Sequence, residues 1–478
     1  MSDAAIALGI FAFFMLVTVG LGVLALRRSA SRSLTDWSVG GRSLGTALVW
    51  VLMAGESYTS FSYLGAAGWG YGYGVPVLYV VAYLGCGYAV GYLVGPLLWR
   101  YARDHDCVTI SDMVAHRFRT PVLGAAVAVF ATVFLLPYIQ LQLTGMGVVV
   151  STISYGRVSL DWGYAVAFLV TTAFVVVSGL RGSAWVSLLK DVLVILTLLT
   201  VAVWIPVHFF GSGGLGYPHL LHRMVAEKPE WLTLPGHDSP GLGMGWFAST
   251  TLLSAFTITV FPTTVAGYLG AKNAGALRRN AIYLPFYQVL LFIPLLLGMA
   301  AAFVVPNLKD SNLALFRMVV DALPAWLVGL TGVAAALSSI VPMGVFMLVI
   351  GTMWGRSVLG ASPRLADRQK GLSQLVVVIA GAAALLLTYT SPNTLVRLSV
   401  VSYEGMAQLL PVVLGGLLWR GMTRAGAVAG LAAGTAVMLA LVLSGNDPLW
   451  GCNAGVPALA VNAVVNLAVS TARWRRAD

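Results

Sequence analysis

Thirteen stretches of about twenty predominantly apolar residues follow one another along this chain. They run at roughly 4–26, 44–70, 75–99, 121–152, 161–180, 185–209, 245–269, 280–304, 324–352, 372–390, 394–418, 423–443 and 454–472. A run of that length crosses the hydrocarbon of a bilayer as a helix, and only helices or closed barrels satisfy their backbone polar groups there. The sequence therefore predicts an all-α polytopic membrane protein with about thirteen transmembrane helices. Composition agrees: 59% of the 478 residues are hydrophobic and 9% charged, where a soluble chain carries about 25%. So few charges cannot cover a water-facing surface. The first run, Ala4–Leu26, follows Asp3 and precedes Arg27 and Arg28. That is the reverse of a signal peptide's charge order, so a retained first helix is expected.

Lys and Arg set the expected orientation, because they concentrate in cytoplasmic loops. Placing the N-terminus outside puts 21 of the 28 basic residues inside. Arg27, Arg28, Arg32, Arg42, Arg364, Arg475 and Arg476 are among them. Arg157, Arg223, Lys228, Lys309, Arg317 and Arg397 fall outside, and Lys190 sits at a helix end. The expected topology is N-out, C-in. The net charge of +11 is thus loop charge spread over seven loops, not the single basic face that a nucleic acid requires, and no nucleic-acid partner is expected. Three cysteines make no disulfide framework, and only Cys452 falls in an external loop. None of the six histidines lies mid-span, and neither HExxH nor GxxxxGK[ST] occurs. His219 and His222 are read as part of a solvated loop. Nothing points to an enzyme.

Two of the spans are interrupted. The second, VWVLMAGESYTSFSYLGAAGWGYGYG, carries Gly55, Glu56, Ser57, Thr59 and Ser60 near its middle. A carboxyl in hydrocarbon costs at least about 2.5 kcal/mol and normally faces a cavity, a partner or an ion. Glycine beside hydroxyls also lets a helix unwind and present carbonyls. Five spans later, FASTTLLSAFTITVFPTTVAGYLG places Pro262 ahead of Thr263 and Thr264, and proline removes a backbone hydrogen bond. Secondary transporters are built from two inverted repeats with one such break in each, near the bilayer midplane. The repeats would be 44–209 and 245–418, with 1–26 as an extra first helix and 423–472 as two peripheral helices. A third polar stripe, Ala335, Ser338 and Ser339, lies on one helical face. It suits either a small hard cation or interhelical packing.

At this point the motifs resemble a known family. GGRSLG (Gly40–Gly45), the Gly55–Gly74 stretch, TISDMVAHRF (Thr109–Phe118), AALSS (Ala335–Ser339) and GGLLWRGMTRAGAVAG (Gly415–Gly430) together resemble the sodium:solute symporter family. AGESYTSFSYLG, IQLQLTGMG (Ile139–Gly147), LRRNAIYLPFYQ (Leu277–Gln288) and YEGMAQLLP (Tyr403–Pro411) are most similar to its bacterial monocarboxylate permeases. The resemblance implies a leucine-transporter-type 5+5 inverted repeat and cation-coupled uptake. It implies a sodium site made by the carbonyls of Gly55, Tyr58 and Ala335 with the hydroxyls of Ser338 and Ser339. Pro342 departs from the family pattern, which has a further polar residue there. Asp191 is expected either to tune cation release or to pair with Lys190 or Arg181.

The substrate would lie between the two breaks. Expected contacts are Glu56, Ser57, Thr59 and Tyr63 from the second span, with Phe261, Thr263 and Thr264 from the seventh. Tyr138 and Gln142 would join them from the fourth, and Tyr403, Glu404 and Gln408 from the eleventh. Glu56 is read either as a proton or gating group or as a structural hydrogen-bond partner. The expected function is symport of a short monocarboxylate such as pyruvate or lactate, by alternating access in the bacterial inner membrane. Na+ is the expected coupling ion, with H+ as the alternative. Other readings keep the fold for an amino acid, sugar or vitamin, or make the chain a sensor or a channel. Against a sensor, about six residues follow the last span. The loop from Gly211 to Gly243 is either a lid or a tether.

Overall fold

The apolar runs fold as helices throughout. The computed structural model describes residues 2–28, 33–211, 213–237, 239, 241–360, 368–391 and 395–474. Arg32, Arg364, Arg475 and Arg476, expected on the inner side, lie outside the described residues. Among the described residues eleven helices are long and apolar enough to cross a membrane. The difference from thirteen has two sources. The expected fifth and sixth spans run together as Leu160–Phe210, which bends at Gly179, where φ is 60°. The expected second span is divided into pieces, Thr46–Ser57 and Ala66–Tyr73 joined by an irregular turn, each too short to count alone.

Ala325–Met353 is the central helix and is buried along nearly its whole length. A helix apolar all round belongs inside. It packs against Leu160–Phe210, Pro121–Ile153 and Asp3–Arg28 and runs unbroken through Pro342. Large apolar side chains such as Leu93, Val122 and Phe286 are exposed, as a surface facing lipid tails requires. The last two helices, Arg424–Leu443 and Gly455–Trp474, pack chiefly on each other.

Both expected breaks are present, the first inside the expected Gly55–Thr59 range and the second immediately ahead of Pro262. Thr46–Ser57 stays helical through Gly55, and the chain turns extended at Tyr58 (φ −92°, ψ 100°). The next two residues lead into a π-helical turn at Phe61–Gly65. The seventh span is helical over Met244–Thr257 and again over Pro262–Gly270, with Phe261 extended between them. Pro262 starts the second piece and does not kink a continuous helix. Its fixed φ and missing N–H suit a first helical position. The 211–243 loop is anchored: Trp231 is buried, and the His237 N–H donates to the Tyr73 carbonyl at 3.0 Å.

Candidate functional site

The two breaks face each other across a small cavity. Glu56 and Ser57, the last residues of one half-helix, line it from one side, and Phe261, Thr263 and Thr264 line it from the other. Tyr138 and Tyr403 complete the expected set that meets there. The cavity has a volume of about 40 Å³, room for about three waters at 10–15 Å³ each. Its walls are aromatic. Phe261 lies 5.0 Å from Tyr403 and 5.8 Å from Tyr138, centroid to centroid, and Tyr138 lies 4.9 Å from Phe346. The polar groups converge from the helix ends. Pro262 has no N–H, and the N–H groups of Thr263 and Thr264 precede the first acceptor inside their helix. Their positive end suits an anion. The Thr263 hydroxyl adjoins the Glu56 carboxyl, whose Oε1 is buried with no hydrogen-bond partner among the described residues.

Five expected contacts lie elsewhere. Thr59 is buried in the break itself, where its hydroxyl accepts from the Phe61 N–H at 3.1 Å. The Tyr63 hydroxyl lies 3.4 Å from that of Thr197. Gln142 Oε1 accepts from the Ser60 N–H at 3.1 Å and so supports the break from behind. Glu404 lines a second cavity that shares the Tyr83 and Tyr403 walls, and its Oε1 accepts from Asn453 at 2.9 Å. Gln408 is tied to the last helix: its Oε1 accepts from Asn462 at 3.2 Å, and its Nε2 donates to the Gly455 carbonyl at 3.4 Å.

Sequence reasoning passed over Tyr83, Tyr88, Tyr268 and Phe346, which also line the cavity. Tyr88 is the best connected. Its hydroxyl lies 2.7 Å from that of Ser57 and accepts from Gln288 at 3.0 Å. A signal existed, since Tyr83, Gly87, Gly91 and Gly95 recur every four residues along one helical face. Tyr268 packs against the last two glycines.

The expected cation ligands are placed differently from expectation. In a continuous helix the Gly55 carbonyl would accept from the Thr59 N–H, but that N–H donates to Ser62 Oγ at 3.2 Å. The Tyr58 carbonyl would accept from Ser62, whose N–H instead donates to the Thr59 carbonyl at 3.0 Å. Both freed carbonyls accept from Lys190 Nζ, that of Tyr58 at 2.9 Å. Lys190 is therefore not at a helix end but wholly buried against the break, and its ammonium lies 3.6 Å from Asp191 Oδ1. Close approach depends on Gly55, where a Cβ would stand 2.7 Å from Ser187 Oγ. On the other side, Ser338 Oγ donates to the Ala334 carbonyl at 2.8 Å and Ser339 Oγ to the Ala335 carbonyl at 3.2 Å. These residues do not fit a sodium ion as arranged, because the helix-break carbonyls of Gly55 and Tyr58 already hold the Lys190 ammonium. The two serine hydroxyls donate only their hydrogens to their own helix and keep oxygen lone pairs.

The sequence model of the sodium:solute symporter family matches residues 37–434. "Uncharacterized symporter YhjB" of Bacillus subtilis is 34% identical over 471 residues, covering 95% of each chain. "Monocarboxylate transport permease protein" of Rhizobium johnstonii is 26% identical over 485 residues, covering 97% of this chain and 96% of that one. Among solved structures, the substrate-bound outward-open state of a Na+-coupled sialic acid symporter is similar over 98% of this chain and 97% of that one. The TM-score is 0.76 at 14% identity. The likeness gives the all-helical fold, that of leucine-transporter-type symporters.

Proposed function

Because the chain belongs to the sodium:solute symporter family, and is a membrane transporter and not an enzyme, we propose that it takes up a short monocarboxylate by cation-coupled symport. The cavity between the two helix breaks carries this reading. It is small enough for a two- or three-carbon acid and apolar-walled against the substrate's methyl end. Thr263, Thr264 and Ser57 line it, and the first N–H groups of the Pro262–Gly270 helix supply a positive end for a carboxylate. The names of the Rhizobium relative and of a Corynebacterium glutamicum "Monocarboxylic acid transporter", 24% identical over 487 residues, support the same class.

Family membership and the Na+-coupled structural neighbour support a sodium gradient as the driving force. Proton coupling is the second reading, favoured by the engagement of the Gly55 and Tyr58 carbonyls by Lys190. The proposed setting is the cytoplasmic membrane of a bacterium, N-terminus out and C-terminus in, with repeats at 44–209 and 245–418. In each cycle the breaks order around the acid, the site occludes, and one bundle rocks against the other to release it inward. Any coupling is reciprocal: the ion must tighten the acid's binding as much as the acid tightens the ion's.

Uptake of labelled pyruvate and lactate into proteoliposomes, under imposed inward cation gradients at fixed membrane potential, tests this. Saturable, gradient-dependent accumulation is expected. Folded protein that accumulates neither acid under any gradient overturns the monocarboxylate assignment.

A further inference from the structure

Among the described residues Lys190 is the one buried lysine or arginine, the proposed transport cycle leaves it unused, and its surroundings form an ammonium site. The side chain has no solvent exposure. An ammonium carries three N–H donors: the Gly55 carbonyl and, at 2.9 Å, the Tyr58 carbonyl accept from it, and Asp191 Oδ1 stands 3.6 Å away as its ion-pair partner. Asp191 Oδ1 is itself held in place, accepting from the Tyr287 hydroxyl at 3.1 Å. Tyr287 in turn packs its ring 4.7 Å from that of Tyr58. Three elements, Thr46–Ser57 with its end at Tyr58, Leu160–Phe210 and Ala274–Gln288, thus meet around one positive charge.

We propose that the ammonium of Lys190 is the resident cation of the site expected to bind sodium, so that this site in this chain holds no sodium ion. The carbonyls of Gly55 and Tyr58 are free to act as ligands only because the helix breaks at Tyr58. A metal ion sharing their lone pairs would stand against a like charge in a low-dielectric interior, where repulsion is strong. The lysine supplies the same service that a bound ion would: it satisfies the orphan carbonyls and ties the broken helix to Leu160–Phe210. Because it is covalently attached, it contributes no gradient of its own. The neighbouring half of the expected site is made of hydroxyls that keep oxygen lone pairs, so it is the Lys190 ammonium that stands against a metal ion there. Ser338 and Ser339 bond within their own helix, and Ser339 Oγ is also paired with Ser60 Oγ at 2.5 Å. The inference takes its meaning from the symport reading, but its test does not depend on the substrate.

Binding of radiolabelled sodium to the purified full-length chain, without substrate and with choline as the competing salt, is the test. The wild type is compared with Ser338→Ala, Ser339→Ala and Lys190→Met, each used only where thermal unfolding shows it folded. The expected result is that the wild type has no saturable sodium binding that either serine substitution removes. Lys190→Met is expected to gain such binding and to lose it again when Ser338→Ala is added. Wild-type sodium binding insensitive to both serines places sodium elsewhere and agrees with the proposal. Saturable wild-type binding abolished by Ser338→Ala or Ser339→Ala overturns it. A chain that carries neither lactate nor pyruvate would sink the monocarboxylate reading and leave this result standing.

Discussion

The Ser60 hydroxyl lies 2.5 Å from the Ser339 hydroxyl, joining the first broken helix to the central helix across 279 residues of chain. Ser60 is held from both sides. Its N–H donates to Gln142 Oε1 at 3.1 Å, and its side chain rests on Gly145, where a Cβ would come within 2.3 Å of the Ser60 Cβ. The break is therefore braced from behind by the Pro121–Ile153 helix and clamped in front by Ala325–Met353.

Gly145→Ala should accordingly be destabilising, by the roughly 1–3 kcal/mol that overpacking a core costs. A lower unfolding temperature in detergent would show it. Ser60→Gly relieves the clash, so the double variant should lose less stability than the two single losses summed. Strict additivity would argue against the contact.

Tyr88→Phe removes the hydroxyl that orders Ser57 and Gln288 while keeping the ring in the cavity wall. One hydrogen bond contributes about 0.5–1.5 kcal/mol. KM for the transported acid should therefore rise about threefold to tenfold, with a lower unfolding temperature because the buried Gln288 amide loses its acceptor. An unchanged KM would remove Tyr88 and Ser57 from the substrate site.

Asp112 organises one end of the bundle. Its carboxylate accepts from the Val108 N–H at 3.0 Å, from Arg356 Nε at 3.2 Å and from the Ser357 hydroxyl at 3.3 Å. The Ile110–Arg117 helix is thereby tied to the turn that follows the central helix. Asp112→Asn keeps the shape and loses the charge. It should cost about 1.5–3 kcal/mol, the range for hydrogen bonds to a charged group, and the loss should shrink in high salt because Arg356 is partly exposed.

Burial, reinforced by the nearby Asp112 carboxylate, pushes the Cys107 thiol up to about 12. The folded-state value is raised, so the reactive thiolate is scarce throughout the neutral range. In a Cys86→Ser, Cys452→Ser background, maleimide labelling of Cys107 should be very slow at neutral pH. It should climb about tenfold per pH unit into the alkaline range with no plateau near that of an ordinary thiol.

The sequence by itself determined the membrane environment, the helical fold and the existence of two breaks five spans apart. Each depends on a local property: the length of an apolar run, a glycine beside hydroxyls, a proline ahead of two threonines. Half of the candidate site was legible for the same reason, since Glu56, Ser57, Thr263 and Thr264 sit where the breaks must open. Only the tertiary structure decided what occupies the breaks. Hydropathy treats Lys190 as a charge near the start of a span. The structure carries it across 135 residues of chain to the Gly55 carbonyl and 132 to that of Tyr58. Gln408 and Glu404, polar residues of the same apparent standing, are drawn instead toward Asn462 and Asn453. A freed carbonyl needs some positive partner, but which one reaches it depends on where helices cross, and crossing geometry is set by packing between distant segments.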